Sequence, residues 1–417
     1  MLIPAVRQPG WPDLVLGVLS LAAAVTLLVV GPREWRRMAA AAAVAAFWLA
    51  STVSALAAEQ TIPVAAAAMA GVAAVLILGP PESVWPLRLA LGVAGAVVAV
   101  SLIYGLLTGA GVLDGAFHTR TETYSRAVLG IPNLRGITLH PNTLGPIAAV
   151  TLVVSSAAVL SSRWRPLWGL VGVSVVGLLW SQSRGSIASA AVAVVALLLV
   201  MRWDRTKPYL VAVLLLGTLT PLVVARLWSE SSVVQGLVTG RTLAWNPAFN
   251  IFEHFPWLGY GPDVFSREFW KLWPPPEWQP LHAHGEWPEI AAESGALGLA
   301  ALAVVVLIAV VTVLSREGPN SWLLIGVLAV VCTQAAVEVP LGLTYFPISY
   351  LLPCLVVAAF AYRGDPGRIS PAHTAGEASQ DDVTGTRPDD AVSTTGTSGA
   401  APPPGSPAAA SPTPTVE

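Results

Sequence analysis

The chain has 417 residues, of which 54% are hydrophobic and only 11% charged, and its mean hydropathy is +0.67. Soluble globular domains carry about 25% charged residues, so the composition excludes that class and indicates a polytopic membrane protein. A formal net charge of -2, with basic residues scattered singly between apolar runs, excludes nucleic acid as a partner, and two cysteines, both inside apolar runs, exclude a disulfide framework.

A membrane span needs about 20 mostly apolar residues. The first run that qualifies, Leu14 to Val30, follows a segment with Arg7 as its only charge, so it reads as a first span and not as a cleaved signal. Ten more follow: Met38 to Ala57, Ile62 to Leu78, Leu87 to Leu107, Leu144 to Leu160, Leu167 to Trp180, Ile187 to Met201, Tyr209 to Val224, Ala291 to Leu314, Trp322 to Val339 and Phe346 to Tyr362. The expected fold is therefore all-α, a polytopic membrane helical bundle of about 11 to 12 spans occupying residues 1–363. Residues 364–417 are rich in Pro, Ser, Thr, Ala, Gly and Asp without apolar periodicity, which predicts a disordered cytoplasmic tail.

Positively charged short loops stay cytoplasmic. Alternate loops carry Arg33/Arg36/Arg37, Arg88, Arg163/Arg165, Arg202/Arg205/Lys207, Arg316 and Arg363/Arg368, while the opposite set is nearly bare. This predicts a multi-pass protein of the plasma membrane with an outside N-terminus and two long extracytoplasmic loops, 108–143 and 225–290.

Four polar blocks fall on that outer side. Arg135-Gly136-Ile137-Thr138-Leu139-His140-Pro141-Asn142-Thr143-Leu144-Gly145 closes the first long loop. Ser181-Gln182-Ser183-Arg184-Gly185 is a tight break between two apolar runs, and an interfacial Arg184 calls for an anion facing it or for snorkelling to headgroups. Gly240-Arg241 precedes Trp245, which spacing puts on the same helical face, and Pro256 to Gly261 reads Pro-x-x-Gly-x-Gly. The pair fits a phosphate donor beside an aromatic plate, or an amphipathic helix lying in the interface. The last block, Leu281 to Gly298, holds His282, His284, Glu286, Glu289 and Glu293, with Pro288 placed where a helix begins. A helix N-terminus there would keep His284 neutral and fit to act as a general base; a metal held by the His-x-His pair with nearby carboxylates, or plain loop histidines, are the other readings.

Taken together and in order, these blocks resemble the O-antigen ligase and O-antigen polymerase superfamily, bacterial membrane glycosyltransferases acting on polyprenyl-diphosphate-linked glycans. The resemblance runs from about residue 130 to 300 and includes His284 with Glu293, Gly295 and Gly298. It implies metal-independent, inverting glycan transfer at the outer face, without a cofactor, from a lipid-linked oligosaccharide to a glycan or other envelope acceptor. By the same resemblance His284 is the catalytic base, and Arg184 and Arg241 hold the diphosphate. Trp245, Trp257, Tyr260, Glu293, His282, Asn142 and Arg135 are the expected substrate-binding residues. Two positions depart from the family pattern: Gly285 stands where a polar residue usually follows the His, and Pro288 where a bulky apolar residue is common.

A polymerase would use the same donor and differ only in its acceptor. A non-enzymatic flippase or exporter of lipid-linked glycans is the rival from another class, but it should carry ionisable residues near the middle of its spans. Gln334 and Glu338, the polar pair that stands out, lie near the outer end of theirs.

Overall fold

In the computed structural model, residues 33–363 are described apart from 62, 81–82, 110–130, 139, 163–165, 221–222, 224–226, 228–240, 273–279 and 343–346. The first expected span and the expected tail lie outside the described residues. Every one of the other ten apolar runs contains a helix. In chain order these are α1 (Arg33–Ala57), α2 (Val64–Leu78), α3 (Trp85–Gly109), α4 (Pro141–Ser162), α5 (Pro166–Ser181), α6 (Arg184–Arg202) and α7 (Lys207–Thr218). Two helices of the second long loop follow, α8 (Thr242–His254) and α9 (Arg267–Leu272), and then α10 (Glu286–Leu314), α11 (Gly318–Ala335) and α12 (Leu351–Ala361).

Six of these, α1, α3, α4, α6, α10 and α11, are long and apolar enough to cross a membrane. The protein is a multi-pass membrane protein of all-α class. Its outward faces carry large apolar side chains such as Val75, Leu89, Leu106, Val213 and Leu216, and an apolar exterior of this extent is stable only against lipid.

Helices α4 and α11 form the inner pair, with α3, α5, α6 and α12 packed around α4. Small residues let the backbones approach: a Cβ on Gly326 of α11 would lie 2.5 Å from Val153 of α4, and one on Gly177 of α5 the same distance from Val98 of α3. A second apolar cluster joins α1, α2, α10 and α12 through Phe47, Trp48, Met69, Ile290 and Val357.

Helix α10 is interrupted. Gly295 takes φ 59° and ψ -150°, which frees backbone groups on both sides of the break. The Pro-x-x-Gly-x-Gly peptide supplies their partners. Tyr260 and Gly261 N–H donate to the carbonyls of Ala292 and Glu293 at 2.9 Å, while Ala296 and Leu297 N–H donate to the carbonyls of Pro256 (2.8 Å) and Trp257 (3.1 Å). Two backbones lie against each other, so both contact points are glycine: Gly259 has φ 66°, and a Cβ on it would meet the Glu293 carbonyl at 2.4 Å. The loop's aromatic cluster, Phe265, Phe269 and Trp270 with Tyr260, covers this joint.

Helices α6 and α10 both start at one end of the bundle and finish at the other. At the far end Lys207 donates to the carbonyl of Arg316 at 2.6 Å, joining two of the basic turns. The starting end holds the site.

Candidate functional site

Glu338 is the centre of the site. It follows α11 in a turn still bonded to it, Glu338 N–H to the Gln334 carbonyl at 2.7 Å, and its carboxylate gathers side chains from three of the four sequence blocks. Arg241, at the N-terminus of α8, donates from Nη2 to Glu338 Oε1 at 2.8 Å and from Nε to the Val337 carbonyl at 2.7 Å. Asn142, in the first turn of α4, donates from Nδ2 to the same Oε1 at 2.7 Å. His284 places Nδ1 3.5 Å from Glu338 Oε2. Burial by itself pushes the Glu338 carboxyl up, but the neighbouring His284 imidazole and the Arg241 guanidinium outweigh it and hold the group well below the usual carboxylate range.

The loop that presents His284 is backbone-strained and well held. His284 has φ 53°, the left-handed region that a non-glycine residue enters only where its surroundings over-determine it. Its N–H donates to Nδ1 of His282 at 3.2 Å, and its carbonyl accepts from the indole of fully buried Trp245 at 3.1 Å. The two imidazoles lie tilted by 49° with centroids 3.8 Å apart. Because His282 Nδ1 accepts a hydrogen bond, its proton is on Nε2 in the neutral ring. Burial first, then the charges of His284, His140 and Arg241, lower His282 to about 3 against the opposite pull of Glu338. His282 is therefore a neutral support at physiological pH.

The two departures from the family pattern fit one local arrangement. A Cβ at Gly285 would lie 3.2 Å from the Trp245 indole nitrogen and 3.3 Å from Pro288 Cδ. Glycine at 285 leaves room for both rings. Helix α10 begins at Glu286, two residues ahead of the expected start at Pro288, which falls in the first turn where a missing N–H costs nothing.

Arg184 is the first residue of α6 and is exposed. Its turn belongs to the same end of the bundle: Gln334 donates to Ser186 at 3.0 Å and Ser189 at 3.1 Å, and a Cβ on neighbouring Gly185 would stand 3.2 Å from Val337. Gln182, just before it, has φ 51°, a second strained residue at the site. Arg135 opens a 3-10 turn and offers its carbonyl to Thr138 Oγ1 at 2.6 Å, and His140 Nδ1 accepts from the Asn142 N–H at 3.1 Å.

The structure thus brings Arg241, His284, His282 and Asn142 together and sets Arg184 at the same end. Glu293 lies apart from them, about two turns into α10, where Ser51 donates to its carboxylate. Trp257 and Tyr260 belong to the peptide docked on the α10 break, with Tyr260 in edge contact with Phe269 at 4.8 Å. Sequence reasoning noticed Glu338 only as a polar residue at a span's end, and it placed His140 in the first block without giving it a role. Nothing near Glu338 in sequence marks it, since its partners lie 54 to 196 residues away.

His282, His284 and Glu338 could also hold a cation, their ligand atoms all lying within 4.8 Å of one another. The set stops short of the four ligands that structural zinc takes, and the Arg241 guanidinium already occupies the same carboxylate.

The family model described as O-Antigen ligase matches residues 169–303. That segment runs from α5 to the middle of α10 and contains three of the four blocks, the Arg135 to Gly145 block preceding it. A search of curated proteins returns no match.

Proposed function

We propose that this multi-pass membrane protein, whose residues 169–303 match the O-antigen ligase family model, transfers a glycan from a polyprenyl diphosphate to an acceptor hydroxyl at the extracytoplasmic face. The observation that supports this most is the meeting of Arg241, His284 and Asn142 on Glu338. Displacing a diphosphate requires cationic donors where negative charge grows, and Arg241 with Arg184 supplies them. Glu338 fixes the Arg241 guanidinium and turns His284 Nδ1 toward itself, so that Nε2 is the nitrogen presented to substrate.

In this mechanism the acceptor oxygen attacks the anomeric carbon as its proton passes to His284 Nε2. The bond from that carbon to the diphosphate oxygen breaks, the electron pair leaves on the lipid diphosphate, and one displacement inverts the anomeric configuration. Glu338 stabilises the imidazolium that forms, as a carboxylate does behind a catalytic histidine. His284, not His282, is the base, because the His282 ring accepts the His284 N–H. Trp245, Trp257 and Tyr260 keep the loop in place beneath the sugar. The carrier's tail takes the apolar cavity between α1, α7, α10, α11 and α12, which extends from Glu286 at the site to Thr312 and Arg316 at the far end.

The test is release of lipid diphosphate by purified protein given a lipid-linked oligosaccharide and glycan acceptors. His284→Ala, Arg241→Ala and Glu338→Gln are expected to lower turnover on the order of 10²- to 10⁴-fold, the usual worth of a positioned acid–base group or charge clamp. Arg184→Ala should mainly weaken donor binding. Normal turnover by His284→Ala would remove the mechanism.

A further inference from the structure

Beside the Glu338 cluster, between α1, α2 and the first half of α10, lies a cavity of about 260 Å³ lined by Glu286, Glu289, Glu293, Trp48, Ser51 and Tyr350. Glu286 and Glu289 are each 1% exposed. One oxygen of each is used by the fold: Glu286 Oε2 accepts from the Leu341 N–H at 3.1 Å, and Glu289 Oε2 from the Ala283 N–H. The other oxygen of each, Oε1, is buried and has no hydrogen-bond partner among the described residues. Nor does any basic side chain among them pair with the three carboxylates, in contrast to Glu338, which has Arg241.

Two buried carboxyl oxygens without donors are costly, and a third buried carboxyl beside them adds like-charge repulsion to any ionisation. A site that keeps such groups open is complementary to something that brings donors. A neutral polyol brings donors alone, whereas an ammonium group brings donors together with the positive charge that lets the buried carboxyls ionise. The aromatic wall points the same way. Trp48 is fixed by its indole N–H on the Leu341 carbonyl at 3.1 Å and by edge contact with Phe47 at 5.4 Å, and a rigid indole accepts a sugar face or a cation.

The cavity is coupled to the transfer centre at two points. Ala283, which holds Glu289, precedes His284, and Leu341, which holds Glu286, follows Glu338 by three residues. We propose that this cavity is the acceptor subsite and that it takes an amino sugar, the ammonium bound by Glu286 and Glu289 and the ring resting on Trp48. The assignment rests on the glycosyl-transfer reading, since the hydroxyl presented from the cavity is the one His284 deprotonates.

The experiment titrates full-length protein in detergent with methyl β-D-glucosaminide and methyl β-D-glucoside at pH 7, followed by tryptophan fluorescence. Wild type is expected to bind the glucosaminide at least tenfold more tightly, and Glu286→Gln and Glu289→Gln each to weaken it tenfold or more. Equal affinity for the two glycosides overturns the assignment, and this comparison stands even where a Gln variant fails to fold. So does an unchanged Kd in both folded variants. A second arm offers both glycosides as acceptors with the lipid-linked donor. Glucosaminide binding without any release of lipid diphosphate would strike the transfer reading and leave the cavity's ligand standing, whereas transfer to other acceptors with no glucosaminide binding would strike the cavity alone.

Discussion

His284 occupies left-handed backbone at φ 53°, a conformation that costs a non-glycine residue roughly 1–3 kcal/mol. Trp245, His282 and Glu338 together hold it there, which is how a single side chain is aimed. The same contacts set an acid limit on the fold. Glu338 is depressed below the unfolded carboxylate value of about 4.3, so its contribution is present above that pH and lost as pH falls through the depressed value. His282 is lowered from 6.5 to about 3, so the unfolded chain binds its proton more readily, and stability drops as pH falls from about 6.5 toward 3. Both effects have the same sign. His282→Asn, which retains an acceptor but does not titrate, isolates the His282 contribution: between pH 6 and pH 4 its thermal midpoint in detergent should fall less than that of wild type. An equally steep decline in that variant would show that another group is responsible. At this scale the sequence was legible where residue type is rare: two histidines one residue apart, or an arginine at a span's edge, stand out against so apolar a chain. Glu338 was harder to read, because its importance lies in contacts with residues 142, 241 and 284 that only the fold supplies.

Among the elements, apolar length located the helices well. All ten apolar runs within the described residues contain one, because hydrocarbon forces the backbone to satisfy itself. The interruption of α10 was not legible: Gly295 looks like many glycines in apolar runs, and its φ of 59° follows from the distant Pro256 to Gly261 peptide docking against it. Gly259→Ala and Gly295→Ala are each expected to destabilise the protein by more than about 3 kcal/mol, since an added methyl strains the backbone and forces two main chains apart. Gly71→Ala in α2, where a Cβ meets nothing within 4 Å, should be neutral or stabilising by up to about 1 kcal/mol. Unfolding in detergent measures all three, and equal effects would mean that the docked joint is unimportant.

For the whole molecule, the distribution of Lys and Arg predicts which end of the bundle faces outward, and the chain can be tested for it directly. In a background with Cys332 and Cys354 replaced by Ala, Leu281→Cys should react with an impermeant maleimide on intact cells, and Trp203→Cys only after the membrane is opened; both native residues are exposed. The reverse pattern would put the Glu338 cluster on the cytoplasmic side. Composition carried the class and the order of the blocks carried the resemblance, but the assembly of the site did not follow from either, because neither encodes which helix ends meet.

Both ends of the chain between Gly261 and Ala283 are tied to the same half-helix, one through the Glu293 carbonyl and the other through the Glu289 carboxylate. That makes the stretch a closed excursion with fixed feet. Away from its buried Phe265, Phe269 and Trp270, a change in its length costs loop-closure entropy, about 0.6 kcal/mol for each doubling. An insertion there should therefore leave the histidine a single residue beyond in place.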